Sequence, residues 1–290
     1  MSTSPCLFRK QLIVACIASL AASSAFAQAT LKRIDERGVI NIGYRDSSVP
    51  FSYLDDNRQA AGYTIDLCMR VVEEVKKKLN KEVKVNFVPI TTANRIPQIT
   101  SAAVDMECGT TTITLGRMEQ VDFSMPFWIT GTQLAVPRQS GITQAEDLKG
   151  KTVGVLQGSS NERALQRLSQ EKGLGLKFNY VKDYAEGFLA LETKRIDALA
   201  GDGTPVAVFA ATKARNPEGL EVVGRLLSTD PYGVMMQRGD PDFRLLVNRA
   251  LAKAFESGDA EKLVAKHFAP TGIKLTTDLQ ALYRAQALQD

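Results

Sequence analysis

The chain has 290 residues, 44% of them hydrophobic, 23% charged and 7% aromatic, a globular composition rather than a disordered or collagenous one. The formal net charge is +4, and Lys and Arg alternate with Asp and Glu along most of the chain, which excludes a basic tract for nucleic acid or an anionic membrane. His267 is the single histidine, so a multi-histidine metal site is excluded and a serine triad would have to use this one residue.

Residues 1–27 read as a secretory signal peptide. Arg9 and Lys10 precede an apolar run over 12–22, and Ala25 and Ala27 place small residues at −3 and −1 of a cleavage before Gln28. The run is too short and wrongly flanked for a retained membrane span. A lipoprotein reading at Cys16 leaves only about four apolar residues after Lys10, against about 7–15 in an export signal, and is the weaker one. Cleavage removes two of the 36 basic residues and none of the 32 acidic ones, leaving a net charge of +2. The mature chain is expected to be soluble outside the cytoplasmic membrane. It keeps Cys68 and Cys108. In an oxidising compartment, a disulfide and two buried free thiols are both open readings, and the distance between the two residues decides.

Strand-like and helical patterns then alternate. Residues 39–43 read as a strand, and Ile65, Cys68, Met69, Val72, Val75 and Leu79 recur at helical spacing opposite Glu73, Glu74 and Lys76. A strand over 83–88, a short helix over 93–102 and a strand over 104–108 follow. The pattern restarts with a strand over 152–156, a helix over 161–172, a strand over 177–181, a helix over 185–193 and a strand over 198–201. Repeated strand–helix–strand units predict an α/β fold with largely parallel sheets covered by helices. Two such units are expected, with crossings near 130–134 and 229–233, and a helix over 243–257 returns to the first unit.

Motifs for catalysis do not survive inspection. Gly150-Lys151-Thr152 resembles the end of a phosphate-binding loop, but Ala145 stands where that loop needs glycine, and the segment runs into a strand. His267, beside Lys266 and Phe268, reads as a capping or surface histidine. What remains is four polar loops where strands end and helices begin, the usual binding edge of open α/β sheets. They span 44–51, 91–95, 108–117 and 157–161, and three carry an arginine: Arg45, Arg95 and Arg117. Each loop alone reads as a helix cap; together they point to an anionic ligand held by guanidiniums, hydroxyls and free N–H groups.

Six segments, GYRDSSVPFSY (43–53), GYTIDLCMRVVEEVKKKLN (62–80), PITTANRIPQI (89–99), ECGTTTITLGR (107–117), LKGKTVGVLQGSS (148–160) and RIDALAGDG (195–203), carry a resemblance that runs over nearly all of the mature chain. The chain resembles the periplasmic polar amino-acid-binding proteins of ATP-driven (ABC) importers, and within them the glutamate/aspartate-binding branch. The resemblance implies the two-lobe type II periplasmic-binding-protein fold: residues 28–130 with 233–290 as lobe 1, and 131–232 as lobe 2. Two crossing hinge strands join the lobes, which close on a ligand. By resemblance, Arg117 pairs with the ligand α-carboxylate, aided by Thr110, Thr112 and the helix start at Ser159 and Ser160, while Asp202 takes the α-ammonium. Arg45, Thr92 and Arg95 face the distal carboxylate, and Ser48 of the first loop joins the candidate set. Relatives that bind cationic amino acids carry an aspartate at the position of Arg45, so the preferred ligand charge inverts here. Tyr184 stands where the branch commonly has a histidine, and brings a hydrogen-bond donor without positive charge.

The function implied is binding of glutamate or aspartate in the periplasm by a monomer, without cofactor, metal or nucleic acid, and delivery to the membrane subunits of an ABC permease. The competing reading is an enzyme on the same scaffold, such as a periplasmic dehydratase acting on a carboxylated ring, with Glu107 or Asp46 as its acid or base.

Overall fold

The computed structural model describes residues 29–289, so the signal-peptide reading of residues 1–27 lies outside the described residues. Helix α1 (Ala29–Arg37) leads into strand β1 (Val39–Tyr44), a small antiparallel meander of β2 (Ser47–Ser48), β3 (Ser52–Leu54) and β4 (Ala60–Ala61), and the long helix α2 (Tyr63–Leu79). Then come β5 (Lys84–Pro89), α3 (Arg95–Thr100), β6 (Met106–Glu107), the single-turn α4 (Leu115–Met118) and β7 (Val121–Phe123). After β8 (Trp128–Thr130) the chain builds β9 (Thr132–Pro137), β10 (Thr152–Leu156), α5 (Ser160–Lys172), β11 (Lys177–Val181), α6 (Tyr184–Glu192), β12 (Ala198–Asp202), α7 (Gly203–Thr212) and β13 (Leu220–Val223). It returns through β14 (Asp230–Tyr232) to β15 (Met235–Gln237), α8 (Pro241–Glu256), α9 (Asp259–Phe268) and α10 (Thr277–Gln286).

Two five-stranded sheets result, in the orders β5-β1-β6-β15-β7 and β11-β10-β12-β9-β13. In the first, β1 runs parallel to β5 and β6, and β15 is antiparallel to β6 and β7. In the second, β10 runs parallel to β11 and β12, and β9 is antiparallel to β12 and β13. The sheets are therefore mixed, because the first strand after each crossing, β9 outward and β15 on the return, enters its sheet against the grain. Between them β8 and β14 form a two-stranded antiparallel ribbon, with Thr130 opposite Asp230 and Trp128 opposite Tyr232.

The helices follow from their apolar spacing. α2 buries Ile65, Leu67, Cys68, Val71, Val72 and Val75 along one face, collects Lys76, Lys77 and Lys78 in its last turn, where the helix dipole favours cations, and ends at Asn80 in a left-handed conformation. α3 is shorter than the spacing predicts. Thr91 and Asn94 bond each other's backbone N–H groups and delay its start to Arg95, and Ala102, at φ 57°, stops it. The regular part of β6 is likewise only two residues, yet the Asp105 and Cys108 N–H groups still donate to β1 carbonyls at 2.9 and 2.8 Å.

The crossing ribbon is rooted in an aromatic cluster. Trp128 stacks on Phe268 at 4.8 Å, Phe51 meets Trp128 edge-on at 5.0 Å and Tyr232 at 5.5 Å, and all four rings are buried. His267, expected as a cap or surface residue, is neither. Its Nε2 lies 2.7 Å from Asp66 Oδ2, tying α9 to α2, and its side chain is only 8% exposed.

Cys68 on the buried face of α2 and Cys108 just after β6 have Cα atoms 6.3 Å apart and form a disulfide. The bond fastens the helix to the start of the 108–117 loop. It closes a loop with a sequence separation of 40 residues, for which loss of unfolded-chain entropy stabilises by about 2–4 kcal/mol. The double variant Cys68→Ala/Cys108→Ala is expected to lose about that much in urea unfolding. An unchanged midpoint, or two titratable thiols from these residues in the oxidised wild type, would contradict this assignment.

Candidate ligand-binding site

Five strand ends converge. β1 delivers Arg45, β5 the loop with Thr92 and Arg95, and β6 the loop with Thr110, Thr112 and Arg117. From the second sheet β10 delivers Ser159 and Ser160, and β12 ends on Asp202. They surround a small, nearly filled cavity. Nine of the eleven residues singled out from the sequence line it: Thr92, Arg95, Thr110, Thr112, Arg117, Ser159, Ser160, Tyr184 and Asp202. Arg45 stands one contact behind, its Nη2 donating to Thr92 Oγ1. Ser48 is buried but does not reach the cavity. Because side chains alternate along a strand, it is its neighbour Ser47 whose hydroxyl accepts the Ala185 N–H at 3.3 Å.

Leu156 and Asn161 line the cavity as well and were missed. Leu156 carries no polar signal in sequence. Asn161 is the third polar residue of the run beginning at Ser159, and its Oδ1 accepts from Thr132 Oγ1 at 2.6 Å.

Three guanidiniums, Arg45, Arg95 and Arg117, are at most 4% exposed. Burying three cations together is unfavourable unless acceptors surround them. Backbone supplies part: Arg117 Nη1 donates to Thr112 O at 2.6 Å, and Arg117 Nη2 and Arg95 Nη2 both donate to Gly158 O, at 3.2 and 3.3 Å. Gly158 offers that carbonyl because its φ of +75° suits glycine, and its N–H is held by Glu162 Oε2 at 2.7 Å. Burial lowers the pKa of all three arginines. Arg117 is pulled to about 10, and Arg95 also feels Arg117 and Arg45 as like charges.

Carboxylates supply the rest. Asp202 is buried, and burial together with the charge of Asp230 pushes its pKa up to about 6, against the counteracting proximity of Tyr232, Asn161 and Arg117. The Asp202 N–H donates to Tyr184 Oη at 3.1 Å, which leaves the phenol's own proton to donate elsewhere. Glu107 is fully buried, and burial raises its pKa against the pull of Arg95 and Arg45. It lies behind the cavity wall, and Asp46 is exposed to solvent.

Several buried polar atoms make no hydrogen bond among the described residues, including Arg45 Nη1, Arg95 Nε and Asp202 Oδ1. Such atoms are costly unless a partner is supplied, roughly 1–3 kcal/mol each and more when charged. The helix-cap reading holds for part of the set: Ser159 Oγ accepts the Glu162 N–H at 3.0 Å and Thr114 Oγ1 the Arg117 N–H at 3.2 Å. Thr112 Oγ1 and Ser160 Oγ instead meet across the cavity at 3.0 Å.

The chain is 38% identical over 268 residues to a glutamate/aspartate import solute-binding protein of Salmonella typhimurium, covering 89% of this chain and 88% of that one. It is 37% identical to an L-glutamate/L-aspartate-binding protein of Pseudomonas aeruginosa, over 91% and 89% of the two chains. Its structure superposes on a cysteine-binding protein from Campylobacter jejuni with a TM-score of 0.75, at 30% identity over 86% and 96% of the two chains. The fold is thus that of the type II periplasmic binding proteins. Residues 40–270 match the model of the bacterial extracellular solute-binding proteins, family 3, and the chain belongs to that family.

Proposed function

We propose that the cavity binds an acidic amino acid, glutamate or aspartate, for delivery to the membrane subunits of an ABC importer. The supporting observation is the charge pattern: two buried guanidiniums, Arg95 and Arg117, line one small cavity that also holds the buried Asp202 carboxylate, and a third, Arg45, stands directly behind Thr92 of its wall. Two ligand carboxylates and one ammonium complement that pattern. Arg117, Thr110, Thr112 and Ser160 take the α-carboxylate and Asp202 the α-ammonium, while Arg45, Arg95 and Thr92 take the distal carboxylate and Tyr184 adds a neutral donor. In this reading the leader at 1–27 directs export, 28–130 with 233–290 and 131–232 act as the two lobes, and the β8–β14 ribbon is the hinge. The protein acts as a monomer. A dehydratase would need an acid or base over its substrate, and the two candidates, Glu107 behind the wall and Asp46 in solvent, do not line the cavity.

Calorimetry with the twenty amino acids tests the assignment. Glutamine lacks the distal charge and should bind at least about tenfold more weakly than glutamate or aspartate, and lysine, arginine and histidine should give no measurable heat. Arg45→Ala and Arg95→Ala should narrow the glutamate–glutamine gap, whereas Lys77→Ala on the exposed face of α2 should not. Wild type binding glutamine as tightly as glutamate would sink the proposal.

Arg117→Ala and Asp202→Ala remove contacts to groups that every amino acid shares. Each should cost about 2–5 kcal/mol, or about 30-fold to several thousand-fold in affinity, for all ligands alike. Near-native affinity in either folded variant would mean these roles are misassigned.

Asp202 also makes binding pH-dependent. In the free protein its pKa is about 6, and an ammonium beside it holds it ionised, so binding displaces a proton whenever the pH lies below that value. Glutamate affinity should therefore be nearly flat above pH 7 and fall by about tenfold towards pH 5. Calorimetry at pH 5.5 in buffers of different ionisation enthalpy should register release of most of one proton. Binding without proton release there would show that Asp202 does not face the ammonium.

A further inference from the structure

Glu107 is a buried charged group near the cavity that the ligand assignment leaves unused. It sits at the end of β6, opposite Gly43 of β1 and Met235 of β15, with no exposed surface. The buried Thr111 hydroxyl is close enough to favour the charged form of Glu107, yet neither carboxylate oxygen makes a well-formed hydrogen bond among the described residues. Its position is fixed by Gly109: a Cβ there would lie 2.2 Å from Glu107 Oε1 and 2.9 Å from Arg45 Cγ, so carboxylate and arginine stem both rest against the bare Cα. The opposite charge that Arg45 feels most strongly is that of Glu107, and the charge that pulls hardest on Glu107 is that of Arg95. The carboxylate thus acts on both guanidiniums assigned to the distal end, through space and from behind the wall rather than as a ligand contact.

We propose that Glu107 is a specificity-determining residue of this site: a resident counter-anion that offsets Arg45 and Arg95 and thereby sets how strongly the cleft prefers an anionic over an uncharged ligand side chain. The inference rests on the acidic amino-acid reading above. Two buried cations with no nearby anion would be costly to hold in the free protein. The Glu107 carboxylate lowers that cost, and it also lowers the positive potential that a ligand carboxylate meets on entry. Removing its charge raises that potential. An anionic ligand side chain gains from the change, whereas an isosteric neutral one does not, because only the former carries charge for the potential to act on. The interaction is buried, so added salt screens it little.

The test is calorimetry of wild type, Glu107→Gln and Glu107→Asp with glutamate and glutamine at pH 7.5. Glu107→Gln should raise the ratio of glutamate to glutamine affinity by about tenfold, the effect of one added unit of opposing charge at this depth, while Glu107→Asp, which keeps the charge, stays close to the wild-type ratio. A merely structural role would weaken both ligands alike, and an unchanged or lowered ratio in Glu107→Gln overturns the proposal. If that variant is too unstable for calorimetry, thermal unfolding decides. Saturating glutamate should then raise its melting temperature by more than it raises that of wild type, with no such excess for glutamine, and equal excesses for both ligands overturn the proposal. A wild type that binds no acidic amino acid would overturn the ligand reading itself, whereas acidic-ligand binding with a flat ratio overturns only the role of Glu107.

Discussion

Three buried arginine side chains, two lining one small cavity and the third directly behind its wall, set the terms for the rest of this molecule. Each ion taken out of water costs several kcal/mol even after relaxation, and three like charges add their mutual repulsion. No single loop has enough acceptors to offset that. The two-sheet architecture does, because five strand ends meet at one place. Thr92 accepts from Arg45, the Thr112 carbonyl from Arg117 and the Gly158 carbonyl from Arg95 and Arg117 together, with Glu107 and Asp202 as the neighbouring carboxylates. The strand order β5-β1-β6 on one side and β10-β12 on the other is what brings these groups within reach.

The shared Gly158 carbonyl has a second consequence. Both of its donors come from loops of the first sheet, while Gly158 follows β10 of the second. The two sheets are therefore tied across the cavity by cations, with Thr112–Ser160 and Ser47–Ala185 as additional bridges. The covalent links are the paired crossing strands β8 and β14, whose Trp128 and Tyr232 are fixed in the aromatic cluster beneath the first sheet. A ligand favours this arrangement only to the extent that it binds it better than any alternative. The polar bridges lie where an anion would add contacts to both walls at once.

Much of this was legible in sequence, for identifiable reasons. The α/β alternation follows from apolar periodicity, which is strong in α2 and across 152–202, and the element types there match residue for residue apart from the ends. The site was legible because its chemistry is compact: three arginines and a run of hydroxyl residues in loops at strand ends. Other features needed coordinates. Whether Cys68 and Cys108 could bond was a question of distance, answered by 6.3 Å between Cα atoms. Ser48 and Ser47 are equivalent in composition, and only the strand register shows that Ser47 reaches the second sheet. Leu156 has no chemical signature at all. His267 looked superficial because its partner Asp66 is 201 residues away in sequence.

Tyr184 is held in the cavity wall by its packing. Its ring packs against Gly201, where an added Cβ would come within 2.6 Å of Cε1, and its hydroxyl accepts the Asp202 N–H. The phenol is buried and burial holds its pKa well above the ordinary tyrosine value, so it contributes a donor and no charge. The positive charge assigned to the distal end therefore comes from Arg45 and Arg95 alone, with Glu107 opposing both. The placement of these two guanidiniums is governed in turn by the Thr92 hydroxyl for Arg45, the Gly158 carbonyl for Arg95 and the bare Cα of Gly109 against the Arg45 stem. The 91–95 and 157–161 loops thus set where the two guanidiniums stand.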